Sequence, residues 1–186
     1  IDKGKWVALL FTLLTDAAAV TIGILARILY TKQGQDPEAI LGTGGTARAA
    51  IGALKGTGSK VSVLTRSITR HDQLHSAAVD LDINLLDWQQ FEEIQDRDLI
   101  ISTTPAGATD GLTVLSTKAD FFDVTYHPWP TDLARRYQNL GRGVIGGLAL
   151  LVEQALFQIN YFSQKEFDYA KMRSELLKVA NAAIKK

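Results

Sequence analysis

The stretch AILGTGGTARAAIGAL, residues 39–54, constrains the fold more than any other part of this chain. A short apolar run enters a turn holding Gly42, Gly44 and Gly45 and leaves at once into an alanine-rich helical pattern. The spacing Gly42-x-Gly44-x-x-Ala47, set between a strand and a helix, is the arrangement in which a dinucleotide pyrophosphate meets a helix start. Gly42 permits the tight turn, Gly44 lets a pyrophosphate approach the backbone, and Ala47 lets the helix pack close to the strand. The first N–H groups of the helix then face the phosphates. Near the other end, IGGLALLVEQALFQ again sets a glycine pair directly before a helix.

The residues that follow alternate between two periodicities. Apolar runs at 37–41, 60–65, 98–103 and 119–126 read as buried strands, and 44–56 and roughly 69–79 read as helices between them. Segment 84–95, with DWQQFEEI, reads as a short helix leading into the next strand. Such alternation predicts an α/β fold with a doubly wound, Rossmann-like parallel sheet joined by right-handed crossovers. From about 146 the pattern is helical only, and Tyr169, Met172, Leu176, Val179 and Ala183 share one face of a final helix. There is no internal repeat and no low-complexity linker.

Composition narrows the partners. Lys plus Arg and Asp plus Glu each total 20, so no net field draws the chain to nucleic acid or to an anionic membrane surface. With no cysteine, disulfides, thiolate metal sites and cysteine nucleophiles are excluded, which suits a cytoplasmic enzyme. His71 and His75 have helical spacing but no third ligand nearby, so no metal is expected. Residues 6–30 are nearly continuous in apolar side chains and long enough to span a bilayer, yet Asp16 and Arg27 would each cost a few kcal/mol in lipid. The run is also too long for a signal peptide. The favoured reading is a buried extended segment at 6–13 and a buried helix starting near Thr15 and Asp16.

The end of the second strand selects the cofactor. An NAD site places an acid there for the ribose 2′-hydroxyl, whereas TRSITR, residues 65–70, has none. Arg66 can stack on adenine or clamp a 2′-phosphate, and Arg70 can reach the same region, so NADP is favoured.

Several motifs in order give the chain a resemblance to the C-terminal part of the shikimate dehydrogenase family, in a form similar to actinobacterial members. Gly42, Gly44, Gly45, Thr46 and Ala47, in LGTGGTARAA, resemble the family's glycine loop. Thr65, Arg66, Ser67 and Arg70 resemble its Asn-Arg-Thr-x-x-Lys phosphate clamp, with Thr in place of Asn. Thr103, Thr104 and Pro105, in STTPAG, resemble the loop beside the nicotinamide ribose. FDVTYHPWPTDLA, 122–134, resembles the Asp-x-x-Tyr-x-Pro-x-x-Thr segment. Gly147 opens a stretch that resembles Gly-x-x-Met-Leu-x-x-Gln-Ala, with Leu150 where methionine is usual.

The resemblance implies NADP(H)-dependent, reversible reduction of 3-dehydroshikimate to shikimate in aromatic amino-acid biosynthesis. Such a reaction needs a hydride donor and a general acid for the developing alkoxide. In the family a lysine of an N-terminal substrate domain does that work beside the aspartate of an Asn-Thr-Asp motif. Thr15 and Asp16 match that motif, with Leu14 replacing the asparagine, so Asp16 is the catalytic candidate, binding a substrate hydroxyl with Thr15. Gln154 is expected to donate to another ring hydroxyl and Tyr126 to lie near the substrate cleft. The implied organisation is a substrate-domain or linker remnant at 1–15, an NADP-binding domain at 16–147, and helices at 148–186 that belong with a substrate domain. The family's serine pair and lysine segment have no counterpart in these residues, and neither Lys3 nor Lys5 matches the lysine. The chain is then either part of a longer enzyme or a reduced, non-catalytic NADP-binding module. Without a substrate domain the last helices expose apolar surface that invites a partner or a homodimer. A quinate/shikimate dehydrogenase is the nearest alternative activity.

Overall fold

The computed structural model describes residues 38–54, 60–66, 74 and 81–184. Six parallel strands form one sheet: β1 (Glu38–Leu41), β2 (Lys60–Thr65), β3 (Asp82–Asp87), β4 (Leu99–Ser102), β5 (Asp120–Asp123) and β6 (Val144–Gly146). Their order is β3-β2-β1-β4-β5-β6, the doubly wound arrangement the alternation predicts. Every residue of β1 and β4 is buried, as expected of central strands covered on both faces.

Because successive side chains in a strand point to opposite faces, the runs build two cores. Ile40, Val63, Ile101 and Phe122 enter one, joined by Ala47, Ala50, Ile51 and Leu54 from helix α1 (Gly45–Ala53) and its C-cap. Ala39, Leu41, Leu64, Ile100 and Phe121 enter the other, against a 3-10 segment (Trp88–Ile94) and helix α2 (Asp132–Asn139). Thr131 caps α2, accepting from the Ala134 N–H, and Tyr137 of α2 stacks on Phe121 at 4.6 Å between ring centroids. Burial pushes the Tyr137 phenol pKa up.

Helix α3 (Gly147–Ser163) sends Leu150 into the first core, and Gln164 ends it in the left-handed conformation. Helix α4 (Tyr169–Ile184) is tied back by Tyr169 and Arg173, both of which donate to Glu153 of α3. No residue of α4 is buried, so its apolar stripe covers no core among the described residues.

Three elements differ from the sequence expectation. Residues 82–87, at the head of the expected helix 84–95, form edge strand β3; its exposed Asp82 and Asn84 interrupt the apolar run that marks a buried strand. The helical signal begins at its end, where Asp87 accepts from the Gln89 N–H and Gln90 Oε1 accepts from the Asp87 N–H. Strand β5 stops at Asp123 rather than at Tyr126, because the Asp123 carboxylate accepts from the Thr125 N–H at 3.0 Å and the Thr131 hydroxyl at 2.8 Å and turns the chain. Strand β6 is too short to leave a period. Residues 6–30 lie outside the described residues, among which no helix is long and apolar enough to cross a membrane.

Candidate functional site

Strand β1 has β2 on one side and β4 on the other, so consecutive connections diverge there and open a crevice at the strands' C-terminal ends. Leu41 lies level with Leu64 and Ser102, and the loops beginning at Gly42 and Thr103 therefore leave the sheet side by side. The Gly42 N–H donates to the Leu64 carbonyl, and Thr103 donates to the Leu41 carbonyl through both its N–H (3.0 Å) and its hydroxyl (2.8 Å). Gly42 has φ +106°, and a Cβ there would come within 2.8 Å of Thr103 Oγ1. Conformation and packing both demand glycine.

The next two glycines differ. Gly44 is the N-cap of α1 with φ −75°, so its backbone suits any residue, and among the described residues a Cβ on it would meet nothing within 4 Å. A Cβ on Gly45 would meet only the Arg48 guanidinium, at 4.0 Å. No side chain caps this helix start and its first turn holds no acid. The result is an exposed helix N-terminus, partly positive and open to solvent, with Thr46 exposed beside it and Ala47 buried beneath.

At the end of β2, Thr65 is buried and Arg66 is exposed. The Arg66 guanidinium lies over the Trp88 ring, 4.5 Å from its centroid, and donates to the Ala108 carbonyl in the loop after β4. Together with Phe91 and Leu112 these residues line a cleft of about 570 Å³. Ser67 and Arg70 lie outside the described residues. Trp88 is the contributor that sequence reasoning missed: Thr65 pairs with Asp87, so Arg66 and Trp88 follow on neighbouring strands, a relation hidden unless 82–87 is read as a strand.

In the loop after β4 the Ser102 and Thr104 hydroxyls are 3.2 Å apart, and Pro105 is exposed. The Thr125 hydroxyl donates to the Thr104 carbonyl at 3.5 Å, linking this loop to the one after β5. Tyr126 there is 50% exposed and is no core residue. The second glycine pair is packed tight. A Cβ on Gly147 would fall 2.0 Å from the Val124 carbonyl oxygen, one on Gly146 would fall 2.7 Å from the Trp129 ring, and the Gly147 N–H donates to the Thr125 carbonyl at 3.0 Å. Gln154 lies half-buried on α3. Thr15 and Asp16 lie outside the described residues.

No protein-family model matches the chain. The shikimate dehydrogenase (NADP(+)) of Geobacter metallireducens is 33% identical over an alignment of 133 residues that covers 62% of this chain and 45% of that protein. The enzyme of the same name from Maridesulfovibrio salexigens is 31% identical over an alignment of 147 residues that covers 74% of this chain and 53% of that protein. The chain thus spans about half the length of the relatives it matches. Among solved structures, Mycobacterium tuberculosis shikimate dehydrogenase superposes with a TM-score of 0.71 at 25% identity, covering 89% of this chain and 62% of that one. A quinate dehydrogenase of Corynebacterium glutamicum in complex with NAD shares the fold, with a TM-score of 0.69 at 23% identity, covering 88% and 62%. Sequence and fold together make the chain similar to the C-terminal half of shikimate dehydrogenases.

Proposed function

We propose that this chain carries the NADP(H) site of a shikimate dehydrogenase and serves the reversible reduction of 3-dehydroshikimate to shikimate. The observation that supports it best is the bare start of α1: among the described residues a Cβ on Gly44 would meet nothing within 4 Å and one on Gly45 only the Arg48 guanidinium at 4.0 Å, and no side chain caps the helix they begin. A pyrophosphate fits there, held by the first-turn N–H groups of Gly45, Thr46 and Ala47. Gly42 fixes the turn beneath it.

Arg66, with Ser67 and Arg70 carried over from the motif, supplies the positive charge for a 2′-phosphate, and Thr65 anchors the start of that loop. Thr103, Thr104 and Pro105 form the wall on the β4 side. The Gly147 N–H donates to the Thr125 carbonyl, which ties the start of α3 to the loop that holds Tyr126. When bound, the reduced nicotinamide supplies the hydride. Asp16 and Thr15 are assigned to a ring hydroxyl of the substrate, with Gln154 on another. In this reading residues 16–147 are the cofactor unit and 148–186 serve the substrate side, although Leu150 of α3 is anchored in the sheet's own core.

Mixing the protein with shikimate and NADP, in parallel with NAD and with quinate, tests the reading through the absorbance of the reduced nicotinamide. Growth with shikimate and NADP is expected. NADPH binding without turnover would reduce the assignment to a cofactor module, and failure to bind either dinucleotide would overturn it.

A further inference from the structure

We infer that Trp88 is a positioning residue that holds the Arg66 guanidinium in place for a 2′-phosphate and thereby sets the preference for NADP over NAD; the inference rests on the cofactor reading above. An exposed arginine at a strand end has many rotamers of similar energy, and ordering it on binding weakens the complex. Here two contacts from different elements remove that freedom. The Trp88 ring lies under one face of the guanidinium at 4.5 Å, and tryptophan is the best aromatic partner for a cation. The Ala108 carbonyl takes one N–H from the edge. A guanidinium has five N–H donors and two faces, so among the described residues the opposite face and the other donors stay available for adenine and phosphate.

Trp88 is itself well fixed. It follows directly from β3, whose last residue Asp87 pairs with Thr65, so the two strands deliver Trp88 and Arg66 side by side. Asp87 and Gln90 lock the turn through hydrogen bonds of 2.8 and 3.1 Å at the start of the 3-10 segment, and the indole packs against the second core. The ring is a platform held by the fold, and the arginine rests on it.

The test is calorimetric titration of NADPH and NADH into the full chain and into R66A, W88L, W88F and the R66A/W88L double variant, with circular dichroism as the check on folding. W88L keeps apolar bulk without a π face; it should weaken NADPH by about five- to tenfold and NADH by less than about twofold. W88F should cost about two- to threefold, again on NADPH alone. In the R66A background W88L should have no further effect on NADPH. If R66A is selective against NADPH but W88L affects both dinucleotides alike or neither, the inference fails and the cofactor reading survives. If R66A is not selective, both fail. Should W88L not fold, W88F decides, and an unchanged NADPH-to-NADH ratio there overturns the inference.

Discussion

The chain has two glycine pairs that each open a helix at the C-terminal end of the sheet, and they answer to opposite constraints. Gly146 and Gly147 are glycines because the molecule fills the space where side chains would go: the Val124 carbonyl and the Trp129 ring stand within 2.0 and 2.7 Å of the missing Cβ atoms. Among the described residues a Cβ on Gly44 would meet nothing within 4 Å and one on Gly45 only the Arg48 guanidinium, and neither glycine has a positive φ. One junction is explained by its own packing. Among the described residues the other has no such packing reason, and that contrast supports a ligand over α1. Both helix starts lack a side-chain cap, so the cap alone would not have separated them.

Substitution can break this comparison, beginning with the largest effect. Gly147→Ala should destabilise by about 3 kcal/mol or more, lowering Tm by on the order of 10 °C in thermal denaturation, because its obstacle is backbone that cannot swing away. Gly42→Ala should cost about 2–3 kcal/mol through its positive φ and the Thr103 contact, read in the same assay. Gly146→Ala should cost about 1–2 kcal/mol, since a ring can move. Pairing it with Trp129→Leu should recover part of that loss, and strict additivity in the double-mutant cycle would contradict the assigned clash. Gly45→Ala should leave stability within about 0.5 kcal/mol of wild type. Its effect belongs to the ligand: NADPH affinity should fall about tenfold, measured by titration.

The sequence was most readable where pattern and burial coincide. β1, β2, β4 and the core of β5 are continuous apolar runs because the sheet buries them on both faces, and the glycine loop stands at the predicted strand-to-helix turn. Edge strand β3 was misread because one of its sides meets solvent, so Asp82 and Asn84 dilute the signal and the helical run after Asp87 dominates. Arg66 was legible from its place after β2, whereas its platform was not: the Trp88 contact depends on strand register, a relation between segments more than twenty residues apart. The tight packing of Gly147 against Val124 was hidden for the same reason, and the motif that singled it out carries no word of that contact.

The central claim is that the bare start of α1 binds the phosphates of NADP. It is tested most directly by titrating NADPH into wild-type protein and into Gly44→Ala, with Tm recorded for both. The account predicts saturable binding to wild type, an affinity about tenfold weaker in the variant, and Tm values within about 3 °C of each other. Equal affinity in the two proteins, or no binding to wild type, would contradict it.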